Sequence, residues 1–242
     1  VIDSLFWAKN KIQNDKKLEE KLDKDFSFID PAKRTILVTG HRRESFGSGF
    51  KNICEALKQI AKNKIGLENK TSYLLFFGLI REYKGLDILI KSMIEINKIK
   101  SNVKLLIVGE NYEPLKKYKD LVNMSKTQNC ISFINYFINE EEIKYWFCSS
   151  ELVIQPYKNA SQSGITPLAF QFEIPTVCTN VGGLSEFIID NKNGFLSNPN
   201  STDLTKKILL ALNSNHNSIK KEIRIKKKKL TWSNFVSELL KK

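Results

Sequence analysis

The chain has 242 residues, 41% of them hydrophobic, with a formal net charge of +13; that length buries one substantial core plus an appendage and is a tight fit for two full domains. It has no run of about 20 apolar residues to span a bilayer and no signal-peptide succession at its start, so it reads as soluble and cytoplasmic. The 39 Lys and Arg are spread along the chain rather than gathered in a patch, which argues against a nucleic-acid partner, and Cys54, Cys130, Cys148 and Cys178 form no CxxC pair, so buried free thiols are expected and no metal site.

Residues 1–30 are rich in lysine and acids, with a short apolar start and no strand signal before Phe26, and read as helix. From residue 34 onward, short apolar runs alternate with helical periodicity, the pattern of βαβ units and a parallel sheet. Strands are expected at 35–39, 73–78, 103–109, 131–134, 152–155 and 175–179; several are continuous apolar runs, as strands covered on both faces should be. Ile53, Ala56, Leu57, Ile60 and Ala61 share one helical face, as do Leu86, Leu89, Ile90, Met93 and Ile94, and both faces are expected to cover a sheet. Residues 63–71 are polar, contain Gly66, and read as a linker between an appendage at 1–62 and a domain at 72–242. Tyr145, Trp146 and Phe147 read as helix packing. Near the end, Lys220, Lys221, Arg224 and Lys226 to Lys229 fall on one helix; a solvated face is the reading, with contact to an anionic membrane surface as the alternative.

Two constellations carry chemistry. The first, ILVTGHRRESFGSGF at 36–50, is a strand, a polar turn and a helix start. A histidine and two arginines at the carboxyl end of a parallel strand are well placed to meet a diphosphate. This motif, with VIDSL at 1–5 and ICEAL at 53–57, resembles the non-hydrolysing UDP-N-acetylglucosamine 2-epimerases. The resemblance implies that His41 lines an active site built with Arg42, Arg43 and Glu44. It stops near Ala61, and the family's catalytic carboxylates and uridine-binding motif have no counterpart here, so a complete epimerase is not expected.

The second constellation runs from residue 72 almost to the end: FFGLIREYKGLDILI at 76–90, LLIVGE at 105–110, QPYKNASQSGITPLAF at 155–170 and IPTVCTNVGGLSEFI at 174–188. Four motifs in this order resemble the second domain of family 4 retaining glycosyltransferases, and LTWSNFVSELL at 230–240 is similar to their tryptophan-bearing terminal helix. The resemblance implies a Rossmann-like domain, the second half of a GT-B architecture, that binds a nucleotide-activated sugar, UDP-linked by preference, and transfers the sugar with retention and without a required metal or other cofactor. Departure of a nucleoside diphosphate builds negative charge that fixed cations and amide donors stabilise. Lys84 matches the family's phosphate-binding lysine, and Arg81 lies three residues before it. Gly78, Gly109 and the segment Ser161, Gln162, Ser163, Gly164, Ile165 and Thr166, a turn opening a helix with Pro167 in its first turn, complete the expected donor site. The chain departs from the family where an arginine commonly follows the first glycine, here Leu79, and at a glutamate pair replaced by Ser161 and Ala169, which removes the usual ribose partner.

The opening strand and helix of such a domain thus occur twice, at 35–61 and at 73–96. A gene fusion, a domain fragment and a truncated reading frame each account for this. Only one copy can line the ligand crevice, and the second is expected to hold it, with strand 35–39 at an edge or packed apart and His41 remote from Lys84. The acceptor, glycan or lipid-linked, is not specified, and a first domain carrying its contacts is expected to be missing. An epimerase fragment and an inactive nucleotide-sugar-binding module are the alternatives.

Overall fold

A computed structural model describes residues 2–33, 35, 48–230, 236–237 and 240. The expected strand at 35–39 beyond its first residue, the calls on His41, Arg42, Arg43 and Glu44, and most of the expected terminal helix lie outside the described residues. The chain divides into two compact units, Val1–Asn52 and Ile53–Lys242.

In the first unit the charged segment forms two helices, α1 (Ile2–Asn14) and α2 (Lys16–Asp25). Asp15 divides them because its carboxylate accepts the Leu18 N–H at 3.1 Å, capping α2.

Helix α3 (Ser48–Lys64) precedes the sheet-bearing part of the chain. Its apolar face was expected to cover a sheet. Ala61 is buried, but Leu57 and Ile60 are 49% and 53% exposed, because other helices already fill both faces of the sheet. Lys62 is buried with its charge satisfied: Nζ donates to the Asn69 and Thr71 carbonyls at 3.0 and 2.7 Å and lies over the Tyr73 ring.

The remaining elements are β1 (Ser72–Phe77), α4 (Leu86–Ile99), β2 (Val103–Val108), α5 (Lys116–Met124), β3 (Ile131–Ile134), α6 (Glu140–Ser149), β4 (Leu152–Gln155), α7 (Ile165–Gln171), β5 (Thr176–Thr179), β6 (Gly194–Ser197), α8 (Ser201–Asn213) and α9 (His216–Lys229). The six strands form one sheet in the order β3-β2-β1-β4-β5-β6, every pairing parallel. Side chains alternate between two cores, as strand geometry requires. Leu74, Phe76, Leu105 and Ile107 pack beneath α4, α5 and α8, while Tyr73, Leu75, Leu106 and Val108 pack beneath α6 and α7. Trp146 and Phe147 belong to the second core, as their helix-packing reading required. Strand β6 was not foreseen.

The thiol expectation is corrected for two residues: Cys130 and Cys178 are buried, but Cys54 and Cys148 are exposed. Cys148 follows the two inward residues of α6 and so points outward. No helix among the described residues is long and apolar enough to cross a membrane. The basic end of α9 is tied to the body of its unit. Arg224 pairs with Glu173 at 2.7 Å, Lys227 donates to the Gln171 carbonyl at 3.0 Å, and Lys226 donates to the Glu186 carbonyl at 3.4 Å.

Candidate functional site

Strand order reverses between β1, which continues to β2 on one side, and β4 on the other. The carboxyl ends of these two strands mark the switch point at which open α/β sheets bind ligands. The loop after β1 turns at Gly78 (φ +96°) into a short 3-10 helix, Glu82–Lys84, which ends on Gly85 (φ +66°). The loop after β4 runs from Pro156 to Gly164 and enters α7.

The two loops are fastened together. Lys158 N–H donates to the Tyr83 carbonyl at 2.7 Å, and its ammonium pairs with Asp87 at 3.0 Å. Tyr83 and Tyr157 meet edge to face at 6.0 Å. Gly85 packs so closely on the Pro156 carbonyl that a Cβ there would collide with it. Within the second loop, buried Gln155 donates to Ser163 Oγ at 2.8 Å and accepts the Thr166 hydroxyl at 2.6 Å, while Ser163 Oγ accepts the Ile165 N–H at 3.2 Å. Thr179 donates to the Tyr157 carbonyl at 2.6 Å. Gln155→Leu would strip the partner from the fully buried Thr166 hydroxyl; stability should fall by about 1–3 kcal/mol in chemical denaturation, and an unchanged midpoint would mean the network is dispensable.

Lys84 sits at the centre of this arrangement. A Cβ built on Gly78 would lie 3.3 Å from Lys84 Nζ and 3.6 Å from Ile165 Cδ1, so the end of β1, the ammonium and the start of α7 share one small space. Lys84 is 7% exposed, and its Nζ lies 5.7 Å from the Tyr157 ring centroid. Among the described residues no carboxylate or carbonyl accepts from it. Burial, reinforced by the Arg81 guanidinium, pushes its pKa down from the ordinary lysine range to about 8. Lys62 provides the contrast: equally buried, it has two carbonyl acceptors. A structural lysine looks like Lys62, whereas Lys84 holds a positive charge with no anion among the described residues to balance it.

The expected site residues divide accordingly. Gly78, Lys84, Ser163, Gly164, Ile165 and Thr166 come together at the β1 and β4 ends, and Gly109 backs Gly78 closely enough that a Cβ on it would strike the Gly78 carbonyl. Arg81 is turned aside: its guanidinium lies 5.6 Å over Tyr112, from which it shapes the charge around Lys84 rather than standing next to it. Ser161 and Gln162 are exposed, and the Ser161 carbonyl accepts the Gly183 N–H at 3.0 Å, pinning the turn to the Gly182–Phe187 3-10 helix. Ala169 is fully buried in the core beneath α7. Gln155, Tyr83 and Tyr157 were not singled out from sequence; a glutamine closing the apolar run LVIQ just before a proline was the available signal. No group of three or more His, Cys, Asp or Glu side chains among the described residues is arranged to hold a metal ion.

A separate cavity of about 540 Å³ lies along Glu82, Glu113, Lys116, Lys117 and Asp120. Lys117 pairs with both Glu82 and Glu113, at 3.3 and 3.6 Å, so its cation already has partners.

Comparison with known proteins bears on the family and the fold. UDP-N-acetylglucosamine 2-epimerase from Escherichia coli K12 is 54% identical over 61 residues, a quarter of this chain; the chain spans only 16% of that relative's length. Among solved structures, HepE from Anabaena in complex with UDP superposes with a TM-score of 0.68 at 18% identity, covering 77% of this chain and 52% of HepE. The C-terminal domain of the group 1 glycosyl transferase LpcC from Francisella tularensis gives a TM-score of 0.64 at 21% identity, covering 72% of this chain and 92% of that domain. At these identities both structures speak to fold alone. The family described as glycosyl transferases group 1 matches residues 33–230, and the chain belongs to it.

Proposed function

We propose that this chain is the donor-binding half of a retaining glycosyltransferase, holding the diphosphate of a UDP-linked sugar between Lys84 and the first turn of α7. The observation that carries the reading is the buried Lys84 ammonium, which has no anionic partner among the described residues at the crevice between β1 and β4. A diphosphate supplies that partner, and charge-assisted contacts to it strengthen as the leaving group departs. Helix α7 has seven residues, the Ile165 N–H is already held by Ser163 Oγ and Pro167 has none, so the helix adds little and Lys84 supplies the main contact. The chain binds no resident cofactor or metal in this reading; the transferred group is a hexosyl unit, and residues 1–62 form the epimerase-like appendage. The acceptor's contacts come from a further domain, since the chain spans about half of HepE.

A second reading, that the 61 residues shared with the epimerases isomerise the sugar, is favoured by their 54% identity. Incubating the chain with UDP-hexoses separates the two. Release of UDP without isomerised sugar supports transfer or hydrolysis, isomerised sugar supports the epimerase, and tight UDP binding with neither product leaves a binding module.

The low pKa of Lys84 fixes the sign of a pH effect. Its proton is lost near pH 8 in the folded free chain, against an ordinary value of 10.5. The unfolded chain therefore holds the proton more firmly, and stability of the free protein should rise between those values. UDP binding moves oppositely, because the diphosphate needs the ammonium and is itself fully ionised above about pH 7. UDP affinity should hold up to about pH 8 and then fall by up to about tenfold per unit. A flat calorimetric profile from pH 7 to 9.5 would contradict the assignment.

A further inference from the structure

The polar network at the carboxyl end of β4 holds one more hydroxyl proton than it has places for. Buried Gln155 donates through Nε2 to Ser163 Oγ at 2.8 Å and accepts the Thr166 hydroxyl on Oε1 at 2.6 Å. Turning that amide over would leave the hydroxyl proton of fully buried Thr166 without its acceptor, so the burial of Thr166 fixes which way the amide points. The Ile165 N–H donates to the same Ser163 oxygen at 3.2 Å. A hydroxyl oxygen accepts on two lone pairs, and both are taken, so Ser163 acts further only as a donor.

The nearest partner for its proton is the Tyr157 hydroxyl at 3.5 Å, longer than the about 2.5–3.0 Å of a well-formed O–H···O bond. Tyr157 carries a proton of its own, which the occupied Ser163 oxygen does not accept. However the two hydroxyls are turned, one proton of the pair has no close acceptor among the described residues. Tyr157 is 3% exposed, whereas Ser163 is only half-buried and is the member of the pair that reaches a ligand. The pair also belongs to the neighbourhood of Lys84, whose Nζ lies 5.7 Å from the Tyr157 ring centroid. A donor-only hydroxyl suits an acceptor-only group. Ionised phosphate oxygens are that, while sugar hydroxyls bring protons that Ser163 has no lone pair to receive.

We propose that Gln155 is a positioning residue that fixes the Ser163 hydroxyl as a hydrogen-bond donor to the diphosphate, with Tyr157 as its resting partner in the free chain. This rests on the donor-site reading centred on Lys84 and adds to it a second, uncharged contact.

Calorimetry with UDP on Ser163→Ala, Gln155→Leu and the double variant tests it. Ser163→Ala should weaken UDP binding about tenfold, as loss of a hydrogen bond to a charged group does. Gln155→Leu should weaken it too, and the double variant should bind no worse than Ser163→Ala, because a residue acting through Ser163 has nothing left to act on. One phosphorus signal of bound UDP should move in the ³¹P spectrum of Ser163→Ala and return in Ser163→Thr, which a loop merely loosened would not produce. The proposal is overturned if Ser163→Ala binds UDP as the unchanged chain does, if the two single effects multiply in the double variant, if neither phosphorus signal moves, or if only UDP-hexose binding weakens. The Lys84 midpoint separates the two readings. If UDP raises it while Ser163→Ala is silent, this inference alone fails; if UDP leaves it in place, the donor-site reading fails and takes this one with it.

Discussion

Lys84→Met should lower UDP affinity by about tenfold to a hundredfold while leaving the free chain at least as stable as before. The substitution keeps the length of an apolar stem and removes an ammonium that burial and Arg81 already disfavour. A charge-assisted hydrogen bond is worth about 1.5–3 kcal/mol, which sets the affinity loss. The folded state meanwhile no longer shelters an unbalanced charge, so thermal stability should rise. Few substitutions move binding and stability in opposite directions, and one that does marks strain kept for a ligand. Lys62→Met should behave in the ordinary way, because it strands the Asn69 and Thr71 carbonyls and should lower stability without changing UDP affinity. Calorimetry with UDP and a thermal melt of each variant read both quantities. A Lys84→Met chain that melts earlier and binds UDP normally would place this lysine in the structural class.

Gly85→Ala should strongly destabilise the paired β1 and β4 loops. Gly85 stands at φ +66° between the 3-10 helix and α4, and a Cβ there would collide with the Pro156 carbonyl. A left-handed conformation costs an alanine roughly 1–2 kcal/mol, and displacing packed backbone adds about 1–3 kcal/mol. Together these are a large part of the about 5–15 kcal/mol that holds a typical domain. Relief requires Pro156 to move away, which separates the β1 and β4 loops and should lower UDP affinity as well. Gly164→Ala is the matched control: its φ is −69°, and nothing lies within 4 Å of the added atom. Its stability should be unchanged or higher by about 0.4–1 kcal/mol. Equal denaturation midpoints for the two variants would mean that the close approach of Gly85 to Pro156 is not a constraint.

Much of this was legible in the sequence because parallel strands covered on both faces must be apolar throughout. YLLFF, KLLIV and LVIQ announced β1, β2 and β4 for that reason, and the turn glycines marked their carboxyl ends. The edge strand β6 was not announced: GFLS is four residues long and half of it is glycine and serine. The apolar periodicity of α3 was misread as a sheet-facing stripe, since periodicity reveals that a face exists but not what else competes to cover the sheet. Motif order put Lys84 and the 161–166 turn in one site; the structure brings the Ile165 side chain near Lys84 and leaves Ser161 and Gln162 exposed. The isolation of the Lys84 charge was not legible, because it depends on which carboxylates fail to approach, and that is settled by the whole fold. Arg81 was drawn away by Tyr112, a residue 31 positions later that no local pattern connects to it.

The most direct measurement is the titration of Lys84 itself, followed through its ¹³Cε resonance in lysine-labelled protein and assigned with Lys84→Arg. In the free chain the midpoint should lie near 8, well below the value of 10.5 shared by unperturbed lysines. Saturating UDP should supply the missing anion and raise that midpoint by at least one unit, about 1.4 kcal/mol of coupling between proton and nucleotide. A midpoint that UDP leaves in place would show that the diphosphate binds elsewhere and would contradict the account at its centre.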